Sequence, residues 1–166
     1  MIADSLLPEF DHEMATTRAH LARTPFQHLD WKPHPKSMTL GRLAAHLAEL
    51  PSWVAMTMQQ TELDIDPPGG TKYVSPVFPS VDAMLASFDA HVKAGRAAIA
   101  AAADKDFMVP WSLKGGGKTF FTMPRIAVHR SFVMNHLIHH RGQFTVYLRL
   151  NGVSVPQSYG PTADES

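Results

Sequence analysis

Residues 132–144 read Phe132-Val133-Met134-Asn135-His136-Leu137-Ile138-His139-His140-Arg141-Gly142-Gln143-Phe144. An α-helix advances about 100° per residue, so His136 and His140, four apart, stand one turn apart on one face. Phe132, Val133 and Phe144 share that face, which turns both rings into a packing interface rather than water. Burying two imidazoles among apolar groups is unfavourable unless their nitrogens find partners, and one metal ion satisfies both together. The run belongs to the longest helix expected, from near Thr122, with Pro124 in its first turn, to about Leu150 before Gly152.

Working outward toward the N-terminus, the same period predicts three further helices. Leu6, Leu7, Phe10, Met14 and Leu21 are spaced by threes and fours across residues 3–24. After a proline-containing loop from Gln27 to Lys36, Thr39 is placed to cap a second helix through Leu40, Leu43, His46, Leu47 and Leu50, which Pro51 bends or shortens. Residues 61–79 hold Pro67, Pro68, Gly69, Gly70, Pro76 and Pro79 and read as a long crossover loop, the kind that often borders a functional site. Ser80 caps a third helix with Asp82 in its first turn, and the alanine run from Ala97 to Ala103 favours helix to its end. Between helices three and four, residues 109–113 face residues 119–121 across Lys114-Gly115-Gly116-Gly117-Lys118 as a short hairpin or folded loop. The tail from Val153 reads as an ordered strap fading into a frayed end. The expectation is an all-α bundle of about four helices in one domain, residues 1–166.

Bulk composition removes several function classes. Lys+Arg and Asp+Glu both number 15, so no basic surplus stands ready to neutralise a phosphate backbone, and nucleic-acid binding is not expected. Apolar stretches fall short of a membrane span, and residues 1–20 lack a signal-peptide core, so a cytoplasmic protein is expected. Cysteine is absent, which excludes disulfides, thiolate ligands and a cysteine nucleophile. Gly117-Lys118-Thr119 is not a phosphate loop, because Ser112 stands where that motif needs glycine. Leu137 occupies the place of the zinc-protease glutamate, which argues against a peptidase.

Spacing alone secures only the pair His136 and His140; His46, beside Leu43 and Leu47, reads in isolation as a core histidine. Two separated segments change this. Thr39-Leu40-Gly41-Arg42-Leu43-Ala44-Ala45-His46-Leu47 and Asn135–Gln143, followed by Tyr147-Leu148-Arg149-Leu150-Asn151-Gly152 and Val155-Pro156, resemble the DinB/YfiT-like superfamily. The resemblance implies a four-helix up-down-down-up bundle. It also implies a divalent metal held by one histidine of the second helix and two of the last, here His46, His136 and His140. It further implies a homodimer, and in some members a low-molecular-weight bacterial thiol used for transfer or isomerisation.

Three neutral nitrogens leave coordination positions open, which suits a catalytic site more than a closed structural one. Zinc or nickel is expected first, with iron, cobalt and manganese as further candidates. The expected reaction is activation of a thiol or water toward a small electrophilic substrate; the alternative is a non-catalytic metal-binding or stress-associated bundle, or a vestigial site in a dimer. Glu49, one turn after His46, is a candidate to orient a ligand or accept a proton, with a solvated place on the helix face as an equal alternative. His139 is displaced around the helix and reads as packing or support for the site. His129, seven before His136, lies nearly in line with it and reads first as a packed histidine, with a place lining the same cavity deeper in the bundle as the alternative. Arg141 and Gln143 point away from the ligands toward interhelical or capping contacts, and Gly142 suggests close helix approach. His12, His20, His28, His34 and His91 have no spacing partner, so exposed or loop roles suffice. Trp53, Tyr73, Trp111, Phe120 and Phe121 are expected in the core or at a cavity mouth.

Overall fold

A computed structural model describes residues 1–165. The helices follow the hydrophobic period closely: α1 spans Ile2–Leu21, α2 Leu40–Glu49, α3 Ser52–Gln59, α4 Val81–Ala101. Thr39 and Ser80 both cap as expected, accepting from the backbone N–H groups of Arg42 and Ala83. Pro51 cannot donate to Leu47, and the helix duly stops at Glu49, turns, and restarts at Ser52. The helix α4 ends two residues short of the alanine run, with Ala102 already extended.

The fold is mostly helical, yet it is not purely α. A three-stranded sheet forms from β1, Glu62–Asp64, β2, Pro110–Gly115, and β3, Lys118–Pro124, in the order β1-β2-β3. The hairpin is longer than its sequence suggests, and its two-residue turn holds Gly116 and Gly117 at φ of 58° and 75°, a left-handed pair that matches strand twist. The unforeseen element is β1, which the crossover segment contributes in parallel pairing, Glu62 opposite Ser112 through Asp64 opposite Lys114. Its pairing partner lies far along the chain, so no local turn signal announces it.

The last helical run also departs from expectation. Thr122 to Pro124 belong to β3, and helix begins only at α5, Arg125–Ala127. A wider π-type stretch, Val128–Met134, follows and leads directly into α6, Asn135–Leu150. The stop is as anticipated: Gly152 sits at φ 70°, and the N–H groups of Gly152 and Val153 reach back to the carbonyls of Arg149 and Leu148. The tail strap does not fray within the described residues, because Asp164 pairs with Arg149 and Glu165 with Arg23. Ser166 lies outside the described residues.

Two apolar clusters position the site. The larger gathers Phe10, Leu43, Leu47, Leu50, Phe88, Leu137, Phe144 and Leu148 from the four long helical segments. Each such buried side chain contributes roughly 1.5–3 kcal/mol relative to exposure. The smaller joins the sheet to the π segment through Trp111, Leu113 and Val128, with Trp53, Phe121 and Phe132 packed against it. Among the described residues no helix is long and apolar enough to cross a membrane.

Candidate metal centre

Packing of α2 against α6 brings His46 to the expected pair. One ligand atom from each of His46, His136 and His140 lies within 4.8 Å of the others, a grouping able to hold a metal ion. The Nε2 atoms of His46 and His136 are 3.3 Å apart, and those of His136 and His140 are 2.9 Å apart.

The opposite ring nitrogens determine what these contacts are. His46 Nδ1 lies 2.7 Å from the Glu49 Oε1 atom, His136 Nδ1 3.3 Å from the Phe132 carbonyl, and His140 Nδ1 2.8 Å from Gln143 Oε1. A carboxylate and a carbonyl only accept, so each Nδ1 carries the proton and donates it outward. The three Nε2 atoms are then left as bare acceptors aimed at one another. Neutral acceptors at such distances repel unless a cation takes their lone pairs, and this donor set of three imidazoles fits a borderline divalent ion of the zinc or nickel type.

Electrostatics keep the rings in the ligating form. Burial, reinforced by His140 and His46, pushes the His136 pKa down to about 4, and burial likewise lowers that of His140. Both are therefore neutral at pH 7, as ligation requires. Glu49 is buried and also accepts from the Tyr73 hydroxyl. Desolvation and that bond push the Tyr73 pKa up to about 12, which holds it as a donor. Glu49 is thus a positioning residue, fixed on one side by the ring it orients and on the other by a loop tyrosine.

The accessible edge of the centre is His136, the only half-buried member of the three. Phe132 lies against it, and Trp53 and Phe121 pack on Phe132 at ring separations of 5.1 and 5.0 Å. These three rings form an apolar wall beside the open edge. Behind Glu49 and Tyr73 a cavity of about 400 Å³ extends between Trp53, Met56 and His91. Trp111 instead belongs to the core under the sheet, and Phe120 faces solvent.

Several other side chains stand differently from their sequence reading. Gln143 does not point away: its amide bridges His140 and His139, sitting three residues after its ligand as Glu49 does after His46. That repeated spacing was the available signal. His139 is exposed beside this amide. His129 is packed as first read, near Phe10, because the wide π turns rotate it off the line of His136. Arg141 makes the expected interhelical contacts, pairing with Glu13 at 2.6 Å. Gly142 does not serve close approach, since a Cβ there would meet open space. His20 is buried rather than exposed, bonded to the Thr16 carbonyl one turn back. Tyr73 carried no local signal for its role, being loop-borne and 24 residues from Glu49.

Comparison with known proteins agrees with this architecture. The family model described as the DinB superfamily matches residues 9–144. The chain is similar to the crystal structure of a DinB-like protein from Bacillus cereus, with 26% identity, a TM-score of 0.70, and 94% of this chain and 97% of that one covered. It shares its fold with a DinB-like protein from Bacillus subtilis at 16% identity, TM-score 0.65, covering 97% of this chain and 98% of that one. No curated protein matches it.

Proposed function

The chain belongs to the DinB superfamily, and from that premise we propose that it is a metal-dependent enzyme presenting a low-molecular-weight thiol or water to a small electrophile. The observation that carries this reading is the convergence of three unprotonated Nε2 atoms with one edge left open. His46, His136 and His140 would hold one divalent ion, with the four long helical segments in up-down-down-up order. Bound there, such an ion supplies Lewis acidity that lowers the pKa of a coordinated thiol or water.

The chain's own residues do the rest. Glu49, Gln143 and the Phe132 carbonyl hold the three tautomers, so no ligand needs reorganisation before binding. Phe132, with Trp53 and Phe121 behind it, limits water at the open edge and offers an apolar surface to a substrate. Because the chain has no cysteine, a thiol nucleophile must arrive as a cosubstrate.

The test is metal analysis of purified protein followed by electrophile turnover with and without added thiols. One ion per chain and thiol- or metal-dependent turnover abolished by chelator is the expected result. Strong destabilisation by chelator with no turnover across thiol and electrophile panels would replace this reading with a structural metal. A chain that takes up no ion, and whose melt chelator never shifts, would overturn both.

A further inference from the structure

Arg42 differs from every other arginine of the chain. The other seven each reach a carboxylate or carbonyl oxygen within 2.9 Å, at hydrogen-bonding distance. Arg42 comes no nearer to an acidic oxygen than 3.9 Å, at Glu49 Oε1, well beyond a charge-assisted hydrogen bond. Its Nη1 atom is buried and has no hydrogen-bond partner. Glu49, whose two oxygens accept from His46 and Tyr73, gives Arg42 a nearby opposite charge but no hydrogen bond. That nitrogen faces Glu49, but the side chain as a whole is 36% exposed, so its remaining guanidinium donors stay free for an acceptor brought from outside.

The surroundings indicate what that would be. Arg42 lines a cavity of about 290 Å³ between α2, α4 and the loop that carries Ser75 to Phe78. Ala44, Ala45, Phe78 and Met84 give it an apolar body, and Thr39 adds a hydroxyl near the arginine's own helix turn. Asp30 is the acidic group on its lining and is exposed, at the solvent lip. Arg42 precedes His46 by one helical turn, and its charge bears on His140, so the cavity adjoins the metal centre. The guanidinium fork matches the two oxygens of a carboxylate, while the apolar walls exclude a small, fully hydrated anion from any advantage.

We propose that Arg42 makes this cavity a subsite for a small organic acid, gripping its carboxylate while the walls bury an apolar body. The subsite's place in a reaction rests on the metal-enzyme reading above; acid binding itself does not. Calorimetric titration of the full chain, metal-free and zinc-loaded, with benzoate, benzamide and inorganic phosphate separates the two. Benzoate binds at least tenfold more tightly than benzamide or phosphate. Arg42→Gln loses at least tenfold in benzoate affinity with benzamide, zinc uptake and Tm unchanged, and Arg42→Lys retains part of the affinity because charge without the fork is a poorer match. Equal binding of acid and amide, phosphate binding as tight as benzoate, or an Arg42→Gln variant that binds benzoate like wild type overturns the proposal, as does no benzoate binding at all. If zinc fails to bind while benzoate binding still depends on Arg42, the metal reading falls and the subsite stands.

Discussion

His140 and Arg141 are neighbours on α6, and each anchors a buried polar cluster. Arg141 turns toward α1, where it pairs with Glu13, bonds Thr17 and receives Tyr159 from the tail. His140 turns toward α2 and meets His46 and His136. In the arginine cluster, charge is neutralised within the protein and donors face acceptors. In the histidine cluster only the outward nitrogens are satisfied, and the inward ones confront one another. A closed polar network holds elements together, whereas one whose acceptors converge on a single point is suited to bind a cation.

Breaking the closed network should have the largest effect. Arg141→Met leaves Glu13 charged and buried, and unfolding free energy should fall by about 3–5 kcal/mol, read by urea denaturation. The surviving folded protein should still take up metal, since the Arg141 side chain turns to Glu13, Thr17 and Tyr159 and bonds no triad ligand. If Arg141→Met is as stable as wild type, the two clusters are not the opposites described.

A buried histidine belonging to neither cluster sharpens the contrast through pH. Burial pushes His129 down to about 4 in the folded chain. Between that value and the ordinary 6.5 the unfolded chain binds the proton and the folded one does not, so stability rises with pH through this window. The stability present above pH 6.5 is therefore lost as pH falls toward 4, by an amount of order 3 kcal/mol for this residue alone. His129→Leu should flatten denaturation midpoints across that window relative to wild type. His136 titrates in the same direction, so the variant's curve will flatten only in part.

Opening the triad should leave the metal-free fold nearly intact. His136→Ala removes one of three converging acceptors, so the apo protein should melt within about 1 kcal/mol of wild type, while the stabilisation by zinc disappears; that stabilisation is about 2.7 kcal/mol at a hundredfold excess over Kd. A zinc-induced shift that survives His136→Ala would show the ion binds elsewhere. Weakening the support should matter less than removing a ligand: Glu49→Gln keeps the shape but loses the charge that orients His46, and zinc affinity should drop about 10–100-fold. The smallest effect has the opposite sign. With open space where its Cβ would sit, Gly142→Ala should stabilise α6 by up to about 1 kcal/mol, a gain that would vanish if Gly142 were a packing contact.

The two clusters also differ in how far they could be read in advance. The i, i+4 pair His136 and His140 is a local geometric fact, and the repeated three-residue step from ligand to supporting side chain, His46 to Glu49 and His140 to Gln143, is written in the chain. Its meaning at Gln143 was hidden because helix geometry around α6 suggests which way a side chain leaves the axis, not how far a flexible amide bends back. The Arg141 network depends on α1 and the tail arriving at the same place, which no spacing within α6 encodes.

Residue order by itself determined the first three helical segments and the body of the last, the caps at Thr39 and Ser80, the break at Pro51 and the stop at Gly152, because each depends on contacts within a turn or two of the backbone. Only tertiary structure decided that β1 joins the hairpin, that a π stretch carries His129 away from the ligands, that Tyr73 descends from its loop onto Glu49, and that Arg42 makes no hydrogen bond to a carboxylate. Each of these is a meeting between distant segments, settled by which buried groups find partners once the apolar faces have closed.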